Sequence, residues 1–570
     1  MKENTSKQGF IAKLDRWLDS IHGHVLSINR ATWWRVAELL LVALASFIYF
    51  FVYQFSSTHL CGTDPYYHIK FAEWTRLHGV VHDFPWARFS DWHHHFFDKE
   101  FIYHLYLSLF TRGDLIRGAK WAVVGTGTAT FTAYFAILRA QRIRYPWLWW
   151  LLLTSSAGYF LFRINVTRPQ TLSVLLLLLG LQVLITERLW LIGLLSLVYS
   201  LSYTGHYQFV GLALIYGFVC RYKDGKWNMA PFLWALAGML LGWLVHPNFP
   251  NNVYGFFVQN VLVIWNQLHG SVDLHMGGEL NPMSTRSLLL VNAATLIPLW
   301  AAITVAMARP FETDRRTLFL FATSTVYLIL TLITKRFAEY WIPTTILFAA
   351  SYFNLAPASW TLGGMLQARR RILFWISTLV LAGGIPLLWY HSHNDTYRQL
   401  ERCGPSTYDR SAQWMAHHIP DGAFVLTCDW DDAPYLFFAS TRHRYTVFLD
   451  PTFFYNWNPK LWKTWDTLAH GKDPHPAQTI SRVFHAKYLY CTSDYGTLRS
   501  QLMRSQNARL IYPVVDRNER PEPCATNQDC PQAMICDNPS CRSGKVCRTK
   551  KGRCKRDPHV FMFRIDDPGR

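Results

Sequence analysis

The feature that most constrains this chain is a series of long apolar segments before residue 390. A helix needs about 20 apolar residues to cross the hydrocarbon core of a bilayer. Segments such as Val36–Tyr53, Leu288–Ala308 and Ile372–Tyr390 reach or approach that length. Because buried helices of soluble proteins rarely repeat at such length, the sequence predicts a polytopic α-helical membrane protein. Residues 391–570 instead have the composition of an ordinary soluble domain.

We predict eleven membrane spans, and about 11 to 13 spans fit the soft segment boundaries. The eleven spans lie near residues 36–56, 117–138, 146–162, 170–186, 189–204, 207–220, 229–245, 288–308, 317–333, 337–355 and 372–390. This number places the basic clusters before the first span, after the second, sixth and eighth, and before the last (Arg369–Arg371) in the cytoplasm. The positive-inside rule expects this placement. Eleven spans also require Val253–Leu268 to lie flat on the membrane or to dip into it.

The predicted topology divides the chain into a cytoplasmic segment, 1–35, a membrane domain, 36–390, and an extracytoplasmic domain, 391–570. The outer loops 57–116 and 247–286 share the outer face with the last domain. A bacterial inner membrane with a periplasmic domain is the localisation that we expect. The net charge of +19 is no indication of nucleic-acid binding, because the basic residues cluster between apolar segments.

The outer domain alternates short apolar strands with helices, which predicts a small α/β fold. Its predicted strands are 424–428, 445–449, 487–491, 509–514 and 560–565, and its helices are 412–418 and 495–505. A cysteine-rich insertion, 517–558, interrupts the last two strands. Its six cysteines predict three disulfides with fifteen possible pairings, zinc binding being the alternative: Cys524, Cys530, Cys536, Cys541, Cys547 and Cys554. Eight lysines and arginines between 542 and 556 either bind anionic lipid or glycan, or have no role.

Three acidic places on the outer face carry the chemistry that we consider. Asp64 precedes Pro65, and this pair is also typical of a helix N-cap with proline in the first turn. His68 follows Asp64 by four residues, so the two share a helix face. Glu279 follows two glycines, and Asp431 lies in the acidic run that begins at Asp429.

In chain order these places resemble the catalytic subunits of oligosaccharyltransferases, which belong to the GT-C glycosyltransferases. The resemblance implies that Asp64 and Glu279 are catalytic and, with His68, hold a divalent metal, Mg²⁺ or Mn²⁺. Trp430 and Asp431 match two positions of the Trp-Trp-Asp-Tyr-Gly motif that binds the acceptor. Asp432 stands where that motif has its tyrosine and is included in the expected acceptor site.

Two features bear on how far the resemblance extends. The loop Arg163–Gln170 has no carboxylate, although the family has an acidic pair there, so His68, Asp98, Glu100 or water would have to complete a metal site. Arg336 lies on the outer side against the positive-inside trend, and it is the expected ligand of the donor phosphate. The alternative for Arg336 is an ion pair with Glu339 at helix spacing.

The predicted function is transfer of a sugar or oligosaccharide from a polyprenyl-linked donor to a protein, lipid or polysaccharide acceptor at the outer membrane face. In this hypothesis Asp64 deprotonates or orients the acceptor. One alternative is a GT-C enzyme that adds single sugars to lipid or envelope polysaccharide. The other is a transporter or a non-catalytic protein that binds a lipid carrier, although the sequence has no convincing internal repeat.

Overall fold

The computed structural model describes most of the chain between residues 30 and 566. Within that range it leaves out residues 264, 266–273, 275–276, 309–311, 361–370, 404–407, 514–522, 525–533, 538–551 and 557–558. The predicted cytoplasmic segment lies almost wholly outside the described residues. So do the cluster Arg369–Arg371, apart from the backbone of Arg371, and most of the cysteine-rich insertion.

The first two thirds of the chain are helical. The helices are α1 Arg30–Gln54, α2 Asp64–His78, α3 Phe101–Ser108, α4 Leu115–Ala140, α5 Pro146–Thr154, α6 Gly158–Ile164, α7 Gln170–Ile185, α8 Leu189–Ser200, α9 Tyr207–Asp224, α10 Ala230–Leu244, α11 Asn251–Phe257, α12 Ala293–Ala308, α13 Arg315–Ile333, α14 Ala338–Asn354 and α15 Arg371–Glu401. Each predicted span coincides with a helix, with two exceptions. The third is divided between α5 and α6, and the eighth begins as a π-helical segment, Ser287–Val291, before α12.

Three of these helices are long and apolar enough to cross a membrane: α1 from Trp33, α4 and α13. Four further helices, α7, α8, α10 and α12, are apolar but shorter, with 10 to 17 residues each. The helices pack around one large core that includes Phe131, Leu177, Tyr199 and Trp341. This architecture is a mostly helical polytopic fold with apolar residues such as Leu40 on its outer surface.

The last predicted span and the outer domain are connected by one continuous helix. The helix α15 runs from Arg371 to Glu401, past the predicted boundary at residue 390. The segment predicted to lie flat begins as α11 and continues as a π-helical turn, Val258–Leu262. It contacts the C-terminal domain, since Gln259 Nε2 donates to Asp450 Oδ2 over 3.4 Å.

The C-terminal domain contains a four-stranded sheet flanked by helices, as the sequence predicts. Its strands β1 Val425–Thr427, β2 Tyr488–Thr492, β3 Ala508–Tyr512 and β7 Val560–Ile565 lie in the order β1-β2-β7-β3. The pair β1–β2 is parallel, and β7 is antiparallel to both of its neighbours. The flanking helices are α16 Asp409–His418, α17 Asp432–Ala439, α18 Thr452–Trp457, α19 Pro459–Ala469 and α20 Gly496–Met503.

One predicted strand of this domain is wrong. Residues 445–449 form only isolated bridges near their start, between Phe424 and Arg444 and between Ala87 and Tyr445. The chain then turns at Leu449, whose φ of 60° is left-handed, and α18 follows shortly afterwards. Because the bridge partner changes between Arg444 and Tyr445, the run does not pair along its length with one strand.

The insertion between β3 and β7 is described in part. Its strands β4 Pro523–Cys524, β5 Met534–Asp537 and β6 Gly552–Arg556 form a second sheet in the order β4-β6-β5. The backbones of Cys536 and Cys554 are paired in register. The predicted disulfides of the six cysteines, and the basic side chains from 542 to 556, lie outside the described residues.

Two disulfides that the sequence did not predict join other parts of the chain. Cys61 of the first outer loop is bonded to Cys403, which follows α15, and Cys428 is bonded to Cys491 within the sheet domain. Cys220 in α9 is a free, buried cysteine. The first outer loop and the C-terminal domain also share one core, in which Phe84 and Trp92 pack with Phe437 and Phe448.

Candidate active site

A single guanidinium connects the two carboxylates that the sequence assigns to catalysis. Arg168, between α6 and α7, lies 2.9 Å from Asp64 through Nη2 and 2.9 Å from Glu279 through Nη1. Asp64 is in the first turn of α2, where a negative charge is favourable at the helix N-terminus. The N-cap position belongs to Thr63 rather than to Asp64. Thus Asp64 and Glu279 converge, and a cation from the segment Arg163–Gln170 lies between them.

Glu279 lies at the centre of a cluster of basic side chains. Arg163, at the end of α6, donates to Glu279 and is also paired with the fully buried Glu339. Arg336 lies 3.6 Å from the other oxygen of Glu279 and donates to the Tyr203 hydroxyl over 2.8 Å. The alternative pairing of Arg336 with Glu339 is therefore replaced by an Arg163–Glu339 pair. Three arginines share one carboxylate.

The charges of these arginines determine the ionisation of Glu279. Burial alone would raise its pKa, but Arg336, Arg163 and Arg168 outweigh burial and hold the pKa well below its usual range. Despite these contacts, Nη2 of Arg163 and Nε of Arg168 have no hydrogen-bond partner among the described residues. The arginine cluster, defined as Arg163, Arg168 and Arg336, consequently retains unused donors.

Asp431 of the C-terminal domain joins the same site through Thr63. The Thr63 hydroxyl donates to Asp431 Oδ1 over 3.0 Å and lies next to Asp64 in the chain. Burial, followed by the charges of Asp429 and Asp64, raises the pKa of Asp431 to about 7. The acidic run of the outer domain thus reaches the first outer loop, so that three distant segments of the chain converge.

The two neighbours of Asp431 have different surroundings. Asp432 is fully buried, and its carboxylate accepts from the Tyr408 hydroxyl over 2.9 Å and from the backbone amide of Asp429 over 3.1 Å. Both of its oxygens are therefore used within the domain. Trp430 is partly buried and packs against the core that includes Leu426.

Two covalent and polar contacts hold the first outer loop against the C-terminal domain. The Cys61–Cys403 disulfide lies three positions before Asp64 in the sequence. The Tyr435 hydroxyl of α17 donates to the Gly62 carbonyl over 3.2 Å. These contacts flank the site and restrict the position of Asp64 relative to Asp431.

His68 belongs to a neighbouring cluster rather than to the carboxylate pair. Its Nδ1 lies 2.9 Å from Nε2 of His104, and Glu100 is the third member of the group. These three are the group of potential metal ligands that the described residues contain, and it includes neither Asp64 nor Glu279. Of the three residues expected to hold the metal, only His68 belongs to this group, together with Glu100, which the sequence suggested as a further ligand.

Comparison with known proteins identifies the fold. No family model matches the chain, and no curated protein matches its sequence. The apo oligosaccharyltransferase of Archaeoglobus fulgidus has a similar structure, with a TM-score of 0.60, 12% identity, and coverage of 83% of this chain and 71% of that one. The undecaprenyl phosphate-bound ArnT of Cupriavidus metallidurans matches 93% of this chain and 98% of its own, at 15% identity and a TM-score of 0.50.

The arabinofuranosyltransferase AftD from Mycobacteria is a further similar structure. It covers 94% of this chain and 40% of its own length, with 13% identity and a TM-score of 0.53. At 12 to 15% identity these three structures show the fold alone, which the chain shares over most of its length. The predicted mostly helical polytopic fold is confirmed.

The sequence indicated some residues of the site and missed others. Arg163 and Arg168 were visible as outer-edge charges, but nothing in the sequence assigned them to Asp64 and Glu279. His104 was missed because it lies in an apolar helical stretch, Phe101–Ser108, where a lone histidine gives no signal. Its spacing from Glu100 by four residues was the one available clue.

Proposed function

We propose that this protein is a membrane glycosyltransferase that transfers a sugar or oligosaccharide from a polyprenyl-linked donor to an acceptor on the extracytoplasmic face. The observation that carries this proposal is the contact of Arg168 with both Asp64 and Glu279. It brings the acids of two outer segments to a cluster of arginines. The GT-C fold is consistent with this chemistry.

The arginine cluster is the proposed site for the donor phosphate. Arginine offers a planar fork of donors that matches phosphate oxygens, and hydrogen bonds to charged groups are stronger than neutral ones. Arg163 and Arg168 retain unpaired donor nitrogens within the described part of the chain. In the absence of a donor, Glu279 occupies the position of the anion. A phosphate that binds here displaces Glu279 from at least part of the cluster.

Asp64 and Asp431 are the proposed acceptor groups. The acceptor nucleophile attacks the anomeric carbon of the donor sugar while the bond from that carbon to the phosphate oxygen breaks. Asp64 accepts or directs the proton of the nucleophile. The phosphate leaves with its negative charge on the arginine cluster. Because attack opposite the leaving group inverts the anomeric centre, we propose an inverting transferase.

A Mg²⁺ or Mn²⁺ ion held by Asp64 and Glu279 does not fit this arrangement. Arg168 lies within 2.9 Å of both carboxylates, and a divalent cation at the same place would be repelled by the guanidinium. The arginines that replace the family's acidic pair in Arg163–Gln170 supply positive charge instead. We therefore assign the stabilisation of the leaving group to arginine.

The extracytoplasmic location of the site is supported by the cysteines. Disulfides persist in oxidising compartments and are rare in the cytosol. Cys61–Cys403 and Cys428–Cys491 lie beside the site and in the sheet domain. The free Cys220 lies beside Arg221 and Lys223, in a cluster that the positive-inside rule places in the cytoplasm. We propose an inner membrane protein with a periplasmic C-terminal domain.

A second candidate differs in the size of the donor and in the acceptor. The acceptor motif of oligosaccharyltransferases is incomplete here, because Asp432 is buried and bonded within the domain. This observation favours an enzyme that adds a single sugar from a polyprenyl phosphate to lipid or envelope polysaccharide. A labelled sugar distinguishes the two candidates. The label enters protein in the first case and lipid or polysaccharide in the second.

The test is transfer from radiolabelled polyprenyl phosphate and pyrophosphate sugars in membranes that contain the full chain. We expect label in a product, and a loss of about 100-fold or more for Asp64→Asn, since positioned acid–base groups contribute about 10²- to 10⁴-fold. Asp83→Asn, an exposed carboxylate of the same loop, is the control. Unchanged transfer by Asp64→Asn would remove Asp64 from the mechanism.

A further inference from the structure

A second polar cluster is buried between α2 and α3, beside the arginine cluster but separate from it. His68, Glu100 and His104 each offer one ligand atom, and these atoms lie within 4.8 Å of one another. All three side chains are at most 4% exposed. The aromatic rings of Tyr67 and Tyr103 enclose the pair of histidines. The cluster therefore resides in a dry environment, where unpaired polar groups are costly.

The orientation of His104 is fixed by a carboxylate. Its Nδ1 lies 2.7 Å from Asp98 Oδ1, so that Nε2 faces the Nδ1 of His68 at 2.9 Å. Histidines that bind metals commonly donate the other ring nitrogen to a carboxylate, which sets the tautomer and the ring orientation. Asp98 has this relationship to His104.

Asp98 is itself held from three sides. Its side chain accepts from the backbone amide of Glu100 over 3.1 Å, and its own amide donates to Asn248 Oδ1 over 3.1 Å. The Nε2 of His246 donates to the Asp98 carbonyl over 3.0 Å. The turn that carries Asp98 and Glu100 is thereby fixed to the segment after α10. Hydrogen bonds that hold an orienting carboxylate in place in this way are typical of metal-binding sites.

The balance of buried charges in the cluster is compatible with a bound cation. Asp98 and Glu100 are both buried carboxylates, and Lys99 lies 3.8 Å from Glu100. Its ammonium also lies 5.9 Å from the centre of the Trp92 ring. Buried charges are stable when they are paired or when they coordinate a metal. The alternative is a hydrogen-bonded histidine pair that holds a proton and no ion.

We propose that His68, Glu100 and His104 bind one transition-metal ion of the Zn²⁺ class, with Asp98 as the orienting group of His104. Two imidazole nitrogens and one carboxylate favour Zn²⁺ over Mg²⁺, which prefers oxygen ligands. Four-coordinate Zn²⁺ places nitrogen ligands about 3.3 Å apart, given bonds of about 2.0 Å. The 2.9 Å between the two rings opens by a few tenths of an ångström to accept the ion.

The ion links the helix that carries Asp64 to α3. His68 follows Asp64 by one helical turn, so both lie on the same face of α2. Glu100 and His104 come from the start and the first turn of α3. With three protein ligands, the fourth position of the ion is left for water or another small ligand. This inference does not depend on the proposed transferase activity.

The test is the metal content of the full chain, purified in detergent with an affinity tag that contains no histidine. Bound metal is first removed with a chelator, and the protein is then incubated with Zn²⁺, Mn²⁺ or Mg²⁺. After removal of free ions, its metal content is measured by elemental mass spectrometry. The cysteine-rich insertion and the exposed His94 and His95 are other places where zinc can bind. The readout is therefore the difference in zinc between the wild type and each variant.

We expect His104→Ala and Glu100→Gln each to lose about one zinc ion per chain. Asp98→Asn weakens zinc binding by about 10- to 100-fold, as loss of an orienting group does elsewhere. The control His206→Ala removes a buried histidine that is bonded only to Tyr203 and Trp243 among the described residues. A His94→Gln/His95→Gln double variant should also keep the ion.

Glu100→Gln preserves the shape of the side chain, so it reports on the site even where His104→Ala fails to fold. Co²⁺ loaded into the chelated wild type should give the visible absorption of a low-coordinate site, and Glu100→Gln should abolish it. Equal zinc content in the wild type and Glu100→Gln, at micromolar free zinc, overturns the proposal. A wild type that binds only Mg²⁺ or Mn²⁺ overturns the assigned metal class.

Discussion

Arg168 and Asp64 are ion-paired at 2.9 Å, although they belong to different segments of the chain. The same guanidinium binds Glu279, which comes from a third segment. Each of the two carboxylates is about a quarter exposed, so the pairs are neither buried nor freely solvated. Such ion pairs can exchange with a charged ligand, because each partner still has access to solvent. This exchange is the basis of the first prediction.

Replacement of Glu279 by glutamine should strengthen the binding of a polyprenyl phosphate. In the donor-free protein the Glu279 carboxylate competes with phosphate for the arginine cluster, and glutamine removes that negative charge. We expect the dissociation constant for undecaprenyl phosphate in detergent to fall by about 5- to 10-fold, which corresponds to about 1 kcal/mol. Weaker binding by Glu279→Gln would show that Glu279 supports the ligand instead of competing with it.

The ionisation of Asp431 should make the stability of the protein depend on pH. The pKa of this carboxyl is raised to about 7 in the folded protein, against about 3.9 in an unfolded chain. The folded state therefore binds more protons between these values, and its stability falls as the pH rises from about 4 to 7. Asp431→Asn cannot ionise and keeps a hydrogen-bond acceptor for Thr63.

We expect Asp431→Asn to raise the unfolding temperature at pH 8 by a few degrees relative to the wild type, and by clearly less at pH 5, where only the unfolded carboxyl is ionised. Differential scanning fluorimetry in detergent at both values measures this. Asp421→Asn is the matched control, because Asp421 is an exposed carboxylate of the same domain. An equal shift of Asp431→Asn at both pH values would contradict the raised pKa.

The Cys61–Cys403 disulfide should stabilise the junction of the first outer loop and α15. Disulfides in extracytoplasmic domains typically contribute about 2 to 5 kcal/mol to the free energy of unfolding. We expect Cys403→Ser to lower the unfolding temperature under non-reducing conditions, and a reductant to have little further effect at this bond. Cys220→Ala, which removes a buried thiol that is not bonded to another cysteine, should lower the unfolding temperature less than Cys403→Ser does. An unfolding temperature of Cys403→Ser equal to that of the wild type would contradict the prediction.

The proposed topology predicts the activity of reporter fusions. Alkaline phosphatase folds in the periplasm, whereas green fluorescent protein matures in the cytoplasm after standard export. We expect phosphatase fused after Arg570 to be active and phosphatase fused after Gly225, which follows α9, to be inactive. Fluorescent protein at the same two places should give the opposite result. Active phosphatase at residue 225 would show that α9 has the opposite orientation in the membrane to the one that we propose.

Features of this fold that are encoded locally in the sequence could be predicted, and features that depend on distant contacts could not. Helix positions are encoded locally by apolar length, so the predicted spans coincide with α1, α4 to α10 and α12 to α15. The third is interrupted at Ser155 and Ser156, whose hydroxyls bond to carbonyls of the preceding turn, and the eighth is interrupted at Asn292. Chain order and resemblance indicated Asp64, Glu279 and Asp431, which the structure brings close together through Arg168 and Thr63.

Pairings across the fold could not be read from the sequence. The contacts of Arg168 depend on the packing of α6 and α7 against the first outer loop, and no local pattern encodes them. The same holds for the disulfide between Cys61 and Cys403, which are 342 residues apart, because connectivity does not follow from spacing. The strand predicted at 445–449 is not formed, because apolar residues indicate that a segment is buried but not which strand it pairs with.

The central claim is that the arginine cluster binds the phosphate of a polyprenyl-linked donor. Binding of undecaprenyl phosphate to the purified full chain, followed by tryptophan fluorescence in detergent, tests this claim most directly. An Arg163→Gln/Arg168→Gln double variant should bind at least about 10-fold more weakly, since each charge-assisted hydrogen bond contributes about 1.5 to 3 kcal/mol. Arg442→Gln, an exposed arginine paired with Asp421, is the matched control and should bind as the wild type does. Equal affinity of the double variant and the wild type would contradict the account.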